Sequence, residues 1–220
     1  MDRDAFIAYT ARTDITDEEL PTWFATVRDF LQDAYIAADT PWQQSGKSGT
    51  YAEWVRLRVP IIELINTDGT LLDIGCANGF LLECLLGWSA AKGIDINPYG
   101  LDIGEKSVAL ARQRLPHHAN HLYVGNSWDW QPPHRFDYVC TELVYVPVNF
   151  QPAYVERLLA DVVAPGGTLI IAHYRSNRED LSTGWHDDRL TAWGYEIAAM
   201  SRGFSGLGYE QTRFVAINQT

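Results

Sequence analysis

The stretch LLDIGCANGF, residues 71–80, decides the fold. It consists of a short apolar run, a turn that contains two glycines, and the first residues of a helical pattern. Gly75 and Gly79 let the backbone turn tightly and approach a ligand, and the first turn of the following helix presents free N–H groups. A dinucleotide-binding fingerprint would read G-x-G-x-x-G, but Ala77 and Phe80 occupy its second and third glycine positions. We therefore predict a ligand-binding turn with little room for a pyrophosphate, and an ordinary strand-to-helix turn is the alternative.

Short apolar runs alternate with helical patterns from Thr70 onward. The runs are TLLDIG (70–75), YGLDI (99–103), HLYVGN (121–126), FDYVCTE (136–142) and GTLIIAHY (167–174), and helices fit at about 79–90, 104–115 and 152–164. Apolar strands separated by helices are typical of a parallel sheet that helices cover on both faces. Residues 195–204 and 209–218 fit an antiparallel pair at one sheet edge. The predicted fold class is α/β, a doubly wound and mostly parallel sheet with an antiparallel edge strand.

The N-terminal part of the chain has a helical pattern. The segment PTWFATVRDFLQDAY (21–35) repeats apolar residues at helical spacing. A second amphipathic stretch covers residues 51–66, where Pro60 should kink the helix or split it in two. The polar segment TPWQQSGKSGT (40–50) lies between these helices. It fits either a lid over a bound ligand or a plain solvated loop.

Length and charge limit the function classes. The chain has 220 residues, 46% of them apolar, and a formal net charge of −11 at pH 7. These values suit one globular domain, which we divide into a helical cap or lid over residues 1–69 and a compact core over residues 70–220. A nucleic-acid-binding protein needs a basic footprint, which this acidic chain lacks. A small-molecule partner is therefore expected.

Cysteine usage and the first residues predict the compartment. Cys76, Cys84 and Cys140 lie within apolar runs, which is typical of reduced thiols in the cytosol. The first residues are charged, unlike a signal peptide, and no apolar run is long enough to span a membrane. We expect a cytoplasmic protein with no membrane or nucleic-acid partner, and a homo-oligomer is left open.

The glycine turn resembles motif I of the class I S-adenosylmethionine-dependent methyltransferases. That motif reads roughly D-x-G-x-G-x-G, and here it stands as Asp73, Gly75, Ala77 and Gly79, with alanine in place of the middle glycine. The resemblance covers about residues 70–217, and the chain is also similar to bacterial methyltransferase-like proteins that combine SGxSG, PYGLDI and TELVYVP. It implies a Rossmann-like methyltransferase fold with S-adenosylmethionine as the cofactor.

Two aspartates compete for the tip of the second strand, where the resemblance implies an acid that accepts both ribose hydroxyls. Asp95 follows Gly79 by 16 residues, close to the usual interval in this superfamily, whereas Asp102 follows it by 23. The segment GLDIGEKSVALARQRL favours Asp102, because a helical pattern begins directly after it. With Asp95 at the tip, the next helix would contain two glycines, each costing about 1 kcal/mol relative to alanine. We predict Asp102, and assign SAAKGIDIN (89–97) to an extended loop.

The remaining cofactor contacts are expected after the first, second and third strands. The predicted cofactor-binding residues are Asp73, Gly75, Cys76, Ala77, Asn78, Gly79, Asp102, Ile103, Asn126, Ser127 and Trp128. The resemblance implies an adenine-binding acid after the third strand, where this chain has Asn126 and Ser127. Trp128 would stack on the purine, a contact worth roughly 1 kcal/mol. The alternatives are that Trp128 and Trp130 only cap the core, and that Asp129 is the adenine-binding acid.

Two strand ends carry groups that would activate a methyl acceptor. Ligands bind beyond the carboxyl ends of strands in this architecture, where the sequence has Glu142 and His173. Histidine titrates near neutral pH, whereas a glutamate base needs burial. Both are predicted catalytic residues, with Glu142 preferred, and the alternative for each is a hydrogen-bonded residue at a strand end. Tyr35 and Trp42 are expected to close over them.

Together these features predict an S-adenosylmethionine-dependent methyltransferase that acts by in-line transfer on a small, apolar or aromatic acceptor. An NAD(P)-dependent oxidoreductase is one alternative, because an acid at the second strand tip also binds an adenosine ribose. A non-catalytic S-adenosylmethionine-binding protein is another. No metal site is predicted, because the six histidines lack a ligand pattern.

Overall fold

The computed structural model describes residues 1–46, 49–175 and 184–220. The described strands are β1 (Gly69–Ile74), β2 (Ile96–Asp102), β3 (Leu122–Val124), β4 (Phe136–Glu142), β5 (Val163–Tyr174), β6 (Ala199–Phe204) and β7 (Glu210–Asn218). The described helices are α1 (Arg3–Thr10), α2 (Leu20–Ile36), α3 (Pro41–Gln44), α4 (Tyr51–Arg58), α5 (Phe80–Ala91), α6 (Glu105–Arg114), α7 (Gln151–Arg157) and α8 (His186–Ala192).

The described strands form one seven-stranded sheet in the order β3-β2-β1-β4-β5-β7-β6. Pairing is parallel from β3 through β5, while β7 is antiparallel to both β5 and β6. Because the order reverses beside β1, the carboxyl ends of β1 and β4 flank a crevice. The predicted fold class, a mostly parallel sheet with an antiparallel edge, is confirmed.

The second strand begins earlier than the sequence pattern indicates. The expected loop over residues 89–97 is wrong at both of its ends, because α5 continues to Ala91 and β2 begins at Ile96. Ile96 pairs with Gly69 of β1, and this parallel pairing extends the strand through Pro98. The strand still ends at Asp102, as expected.

The N-terminal helices pack on both faces of the sheet. Trp23 of α2 belongs to the same buried cluster as Leu72 of β1, whereas Ile61 belongs to the opposite cluster with Leu71. Leu71 and Leu72 are neighbours in a strand, so their side chains point to opposite faces. The division into a cap over residues 1–69 and a core stays a prediction.

The second N-terminal helix is divided as expected. The α-helix α4 ends at Arg58, and a 3₁₀ helix, Val59–Leu64, follows with Pro60 in its first turn. The segment 40–50 contains α3 rather than being loop throughout, and Lys47 and Ser48 of that segment lie outside the described residues.

Candidate functional site

A cavity of about 490 Å³ opens at the carboxyl ends of β1, β2 and β4, beneath α1 and α2. The predicted site residues that line it are Gly75, Ala77, Asp102, Ile103, Asn126, Ser127 and Glu142. A smaller cavity of about 50 Å³ adjoins it, and Asp73 and Cys76 line this one. The structure therefore brings most of the predicted cofactor residues and Glu142 to one place.

The glycine turn is shaped by left-handed backbone conformations. Gly75 has a φ of +81° and Gly79 a φ of +73°. A Cβ on Gly75 would overlap the ring of Tyr145, whereas a Cβ on Gly79 would lie 3.1 Å from the Cβ of Ala111 in α6. The absence of a side chain at Gly75 therefore leaves room for the Tyr145 ring at the turn, and its absence at Gly79 leaves room for α6.

Asp102 joins the glycine turn to the second strand tip. Its Oδ2 accepts a hydrogen bond from the backbone N–H of Ala77 at 2.9 Å, and its Oδ1 accepts one from Gly104 at 2.8 Å. Ala77 has a φ of +46°, which costs a non-glycine residue about 1–2 kcal/mol, so the bond to Asp102 offsets part of that strain. A carboxylate has about four acceptor sites, which leaves capacity for two ribose hydroxyls.

Asp95 lies at the other end of the strand. It is exposed and directly precedes Ile96, the first residue of β2, and its backbone N–H donates to Asp68 at 2.8 Å. Asp95 lines neither cavity. The geometry thus puts Asp102, and not Asp95, at the predicted ribose position, and the ribose contact itself stays a prediction.

Three acidic side chains, Asp73, Asp102 and Glu142, influence one another at this end of the cavity. Asp73 is 5% exposed, and burial, followed by the charges of Asp102 and Glu142, raises its pKa to about 8. Burial also raises the pKa of Asp102, while the N–H groups of Gly104 and Ala77 oppose that rise. The hydroxyl of Tyr145 donates to Glu142 at 2.9 Å. A cationic group bound here would relieve the repulsion among the acids.

Arg58 brings a positive charge to these acids, and it lines both cavities. Its guanidinium lies 5.0 Å from the ring centroid of Trp54 and 4.4 Å from that of Tyr174. The charge of Arg58 lowers the pKa of Asp73 against the larger effect of burial. Its Nη1 is buried and has no hydrogen-bond partner within the described part of the chain.

Asn78, a predicted cofactor residue, instead holds α3 against the glycine turn. Its Nδ2 donates to the backbone oxygen of Pro41 and to Oε1 of Gln44, both at 3.0 Å, and its Oδ1 accepts from the N–H of Phe80. Neither Asn78 nor Gly79 lines the two cavities. Their direct contact with a cofactor stays a prediction, but their contacts position the turn and its cover.

The cavity wall formed by the residues after β3 agrees only in part with the predicted cofactor contacts. Asn126 and Ser127 line the cavity, and Asn126 Oδ1 accepts from the N–H of Trp128 at 2.9 Å. The Trp128 ring meets Phe150 edge to face at 5.3 Å and packs on the core rather than lining the cavity. This packing favours the core-capping alternative for Trp128. Asp129 is exposed.

His173 is separated from the other predicted catalytic residue. Its ring stacks on His186 at 3.8 Å, and it lines neither cavity. Burial, followed by the charge of Arg175, lowers the pKa of His173 to about 4. The next residue, Tyr174, points to the opposite face of β5 and lines both cavities.

Several wall residues escaped the sequence interpretation. Arg3 and Phe6 come from α1, a helix that was not predicted individually, although Asp2 caps its N-terminus with a 2.9 Å bond to Ala5. An aspartate directly before a helical pattern was the available signal. Thr212 comes from β7, whose contribution to the cavity depends on the strand order.

Membrane-spanning helices and metal-binding clusters are both absent from the described ranges. No helix in residues 1–46, 49–175 and 184–220 is long and apolar enough to cross a membrane. In the same ranges, no group of three His, Cys, Asp or Glu side chains is arranged to hold a metal ion.

Comparisons with known proteins agree with this geometry. Residues 47–205 match the family model of a methyltransferase domain. A ubiquinone biosynthesis O-methyltransferase of Serratia proteamaculans is 33% identical over 116 residues, which are 50% of this chain and 44% of that protein. Its counterpart from Thiobacillus denitrificans is 28% identical over 75% of this chain and 73% of that protein. A tRNA U34 carboxymethyltransferase of Shewanella putrefaciens is 29% identical over 62% of this chain and 38% of that protein.

Solved structures share the fold. The 1,6-didemethyltoxoflavin-N1-methyltransferase of Burkholderia thailandensis, with bound 1,6-didemethyltoxoflavin and S-adenosylhomocysteine, has a TM-score of 0.66 at 14% identity, covering 94% of this chain and 93% of that one. The family match favours a methyltransferase over the oxidoreductase alternative, and the acidic cavity with its glycine turn fits S-adenosylmethionine as the cofactor. The chain belongs to the methyltransferase-domain family, within the class I S-adenosylmethionine-dependent methyltransferases.

Proposed function

We propose that the protein transfers the methyl group of S-adenosylmethionine to a small, apolar or aromatic acceptor. The observation that carries this proposal is the cover of the cavity: Phe6, Phe24, Val27 and Leu31 of α1 and α2 line it opposite the acidic strand ends. An apolar wall with a few polar groups is typical of sites for small organic molecules. The resemblance to O-methyltransferases supports a hydroxyl acceptor.

The acidic end would hold the cofactor in two parts. Asp102 would accept the ribose hydroxyls, and the cavity wall at Asn126 and Ser127 would face the adenine. The small cavity brings Asp73 and Arg58 together beside the glycine turn. A carboxylate and a guanidinium in one pocket complement the ammonium and carboxylate of an amino acid. S-adenosylmethionine supplies a methyl group that is bonded to a positively charged sulfur. After the transfer, the rest of the cofactor is a neutral thioether and a good leaving group.

Glu142 would act on the acceptor. It ends β4, lines both cavities, and accepts a hydrogen bond from Tyr145. A hydroxyl acceptor must lose its proton as the new C–O bond forms, and a positioned carboxylate can take that proton. The enclosing walls would hold the two reactants in line, which supplies much of the rate acceleration in such displacements.

The test is methyl transfer from labelled S-adenosylmethionine to catechol and related small phenols. Glu142→Gln should slow turnover by at least about tenfold and change cofactor affinity little, because only proton transfer is removed. His173→Gln is the matched control, since His173 lies outside both cavities. Turnover equal to wild type in both variants would leave proximity as the source of catalysis. Cofactor binding without transfer to any small acceptor would instead support the non-catalytic alternative.

A tRNA substrate is the competing class, because one relative modifies tRNA. The net charge of −11 weighs against a nucleic acid, which needs phosphate-neutralising side chains. We expect no methyl transfer from the pure protein to tRNA, rRNA or DNA. Transfer at rates above those for small phenols would overturn the proposed acceptor class.

A further inference from the structure

The large cavity carries charged side chains at both of its ends, and Arg58 lies among the acids at the sheet end. Asp102 and Glu142 lie at its sheet end, whereas Arg3 of α1 and Arg28 of α2 line it from the helical cover. Tyr35 also lines this cavity: after burial, the charges of Glu142 and Asp102 raise its pKa, while those of Arg58 and Arg3 lower it. Its hydroxyl is therefore influenced both by the charged groups of the sheet end and by Arg3 of the cover.

The arginines of the cover have unused capacity. Arg3 makes no ion pair within residues 1–46, 49–175 and 184–220. Among the residues that the structure describes, Arg28 pairs only through Nε, with Oδ1 of Asp29 at 2.8 Å. Asp29 and Glu105, the acids whose charges act on Arg28, do not line the cavity. The cavity therefore meets cationic side chains at this end, in a chain whose net charge is −11.

The same end offers flat apolar surfaces. Phe6 of α1 stacks on Phe30 of α2, with ring centroids 3.9 Å apart and an interplanar angle of 8°. Phe6 lines the cavity together with Phe24. Aromatic faces beside arginines suit a planar ring that carries an anion.

We propose that the methyl acceptor is an aromatic carboxylate, with its ring against Phe6 and Phe24 and its carboxylate between Arg3 and Arg28. This inference rests on the proposed function and narrows its acceptor class. Arginine binds carboxylate through paired N–H donors, which fixes the direction of the ring. The opposite edge of the ring then faces Glu142. A hydroxyl there gains the methyl group as the C–S bond of the cofactor breaks, and its proton passes to the carboxylate of Glu142.

Calorimetric binding of two probes tests the charge requirement. The full-length protein, saturated with S-adenosylhomocysteine, is titrated with 4-hydroxybenzoate and with its neutral analogue 4-hydroxybenzamide. The benzoate should bind at least about tenfold more tightly. The double variant Arg3→Gln/Arg28→Gln should remove that preference and leave the affinities for the benzamide and for S-adenosylhomocysteine unchanged. Arg135→Gln/Arg202→Gln is the control, because it removes the same charge from residues that do not line the cavity.

The outcomes separate this inference from the proposed function. Equal affinity for the two probes, no binding of either, or an equal loss in both double variants would overturn the aromatic carboxylate. Methyl transfer to neutral phenols in that case would leave the proposed function intact. A wild-type protein that binds no S-adenosylhomocysteine would instead overturn the proposed function itself.

Discussion

The two ends of the cavity are built differently. At the sheet end, Asp102 is fixed by two backbone N–H groups, and Asp73 is 5% exposed within paired strands. At the helical end, Arg3 is exposed and the side chain of Arg28 is 41% exposed. Strand pairing thus fixes the groups assigned to the cofactor, whereas side chains on helices supply those assigned to the acceptor. A family can keep the first set and vary the second to change its acceptor.

The largest effect is expected at the glycine turn. Gly75→Ala places a Cβ into the ring of Tyr145 at a φ of +81°. A strain of about 3 kcal/mol corresponds to a loss of about a hundredfold in S-adenosylmethionine affinity. Calorimetry measures the affinity, and thermal unfolding confirms that the variant folds. Gly87→Ala in α5, where an added Cβ has no neighbour within 4 Å, should bind as wild type does. Equal affinity for both variants would contradict the role of the turn.

The second effect separates the two aspartates. Asp102→Ala removes the acceptor of two backbone bonds and the predicted ribose contact, so affinity should fall about thirtyfold, at about 1.5–3 kcal/mol per charged hydrogen bond. Asp95→Ala should stay within about twofold, because Asp95 is exposed at the other end of β2. Calorimetric titration of both variants decides. The reverse order would move the ribose site to Asp95.

A smaller effect is expected from pH. Burial raises the pKa of Asp73 to about 8, so the free protein holds a proton there at pH 7. A bound ammonium favours the carboxylate, and binding must then release that proton, so affinity, corrected for the titration of the ligand's own ammonium group, should rise about tenfold between pH 7 and pH 8.5 and level off above it. Asp73→Asn should flatten this dependence. The titration of the ligand itself is common to both proteins, so an unchanged difference between them across pH would contradict the assignment.

The smallest effect is expected at an exposed ion pair between α2 and α6. Lys106 of α6 contacts Asp33 of α2 at 2.7 Å, with the two side chains 59% and 74% exposed. Exposed ion pairs contribute about 0.5 kcal/mol or less, because water and salt screen them. Lys106→Gln should change the free energy of unfolding by no more than that. Urea unfolding measures it, and a loss above about 1.5 kcal/mol would show that this pair anchors the cover.

The sequence predicts which segments form strands better than it predicts where each strand begins. The run FDYVCTE coincides with β4, because an apolar run between turn residues leaves little choice of register. The start of β2 was missed because Pro98 argues against a strand there. Pairing with β1 overrides that preference, and a single sequence does not show which strands will be neighbours.

The end of β5 shows the same limit of sequence-based prediction for the site residues. His173 and Tyr174 are adjacent and polar, so both suit a role at the end of β5. Successive side chains alternate between faces, and only the packing of α8 on one face shows that His173 meets His186 while Tyr174 meets Arg58. The place of Glu142 at the cavity was easier to predict, because Glu142 ends the strand that flanks the crevice.

The contact between α4 and β6 links an early segment of the chain to a late one. A Cβ on Gly203 would lie 2.9 Å from the backbone oxygen of Leu57, so the bare glycine lets β6 close against the helix that carries Arg58. The ribosome makes the cover first and this strand nearly last, at about 5–20 residues per second. During those seconds α4 has no β6 to pack on, and contacts between such distant segments form slowly. A nascent chain that ends before Ala199 should therefore lack a complete cavity. A bound cofactor would then stabilise the fold only after the strands at this edge of the sheet have been synthesised.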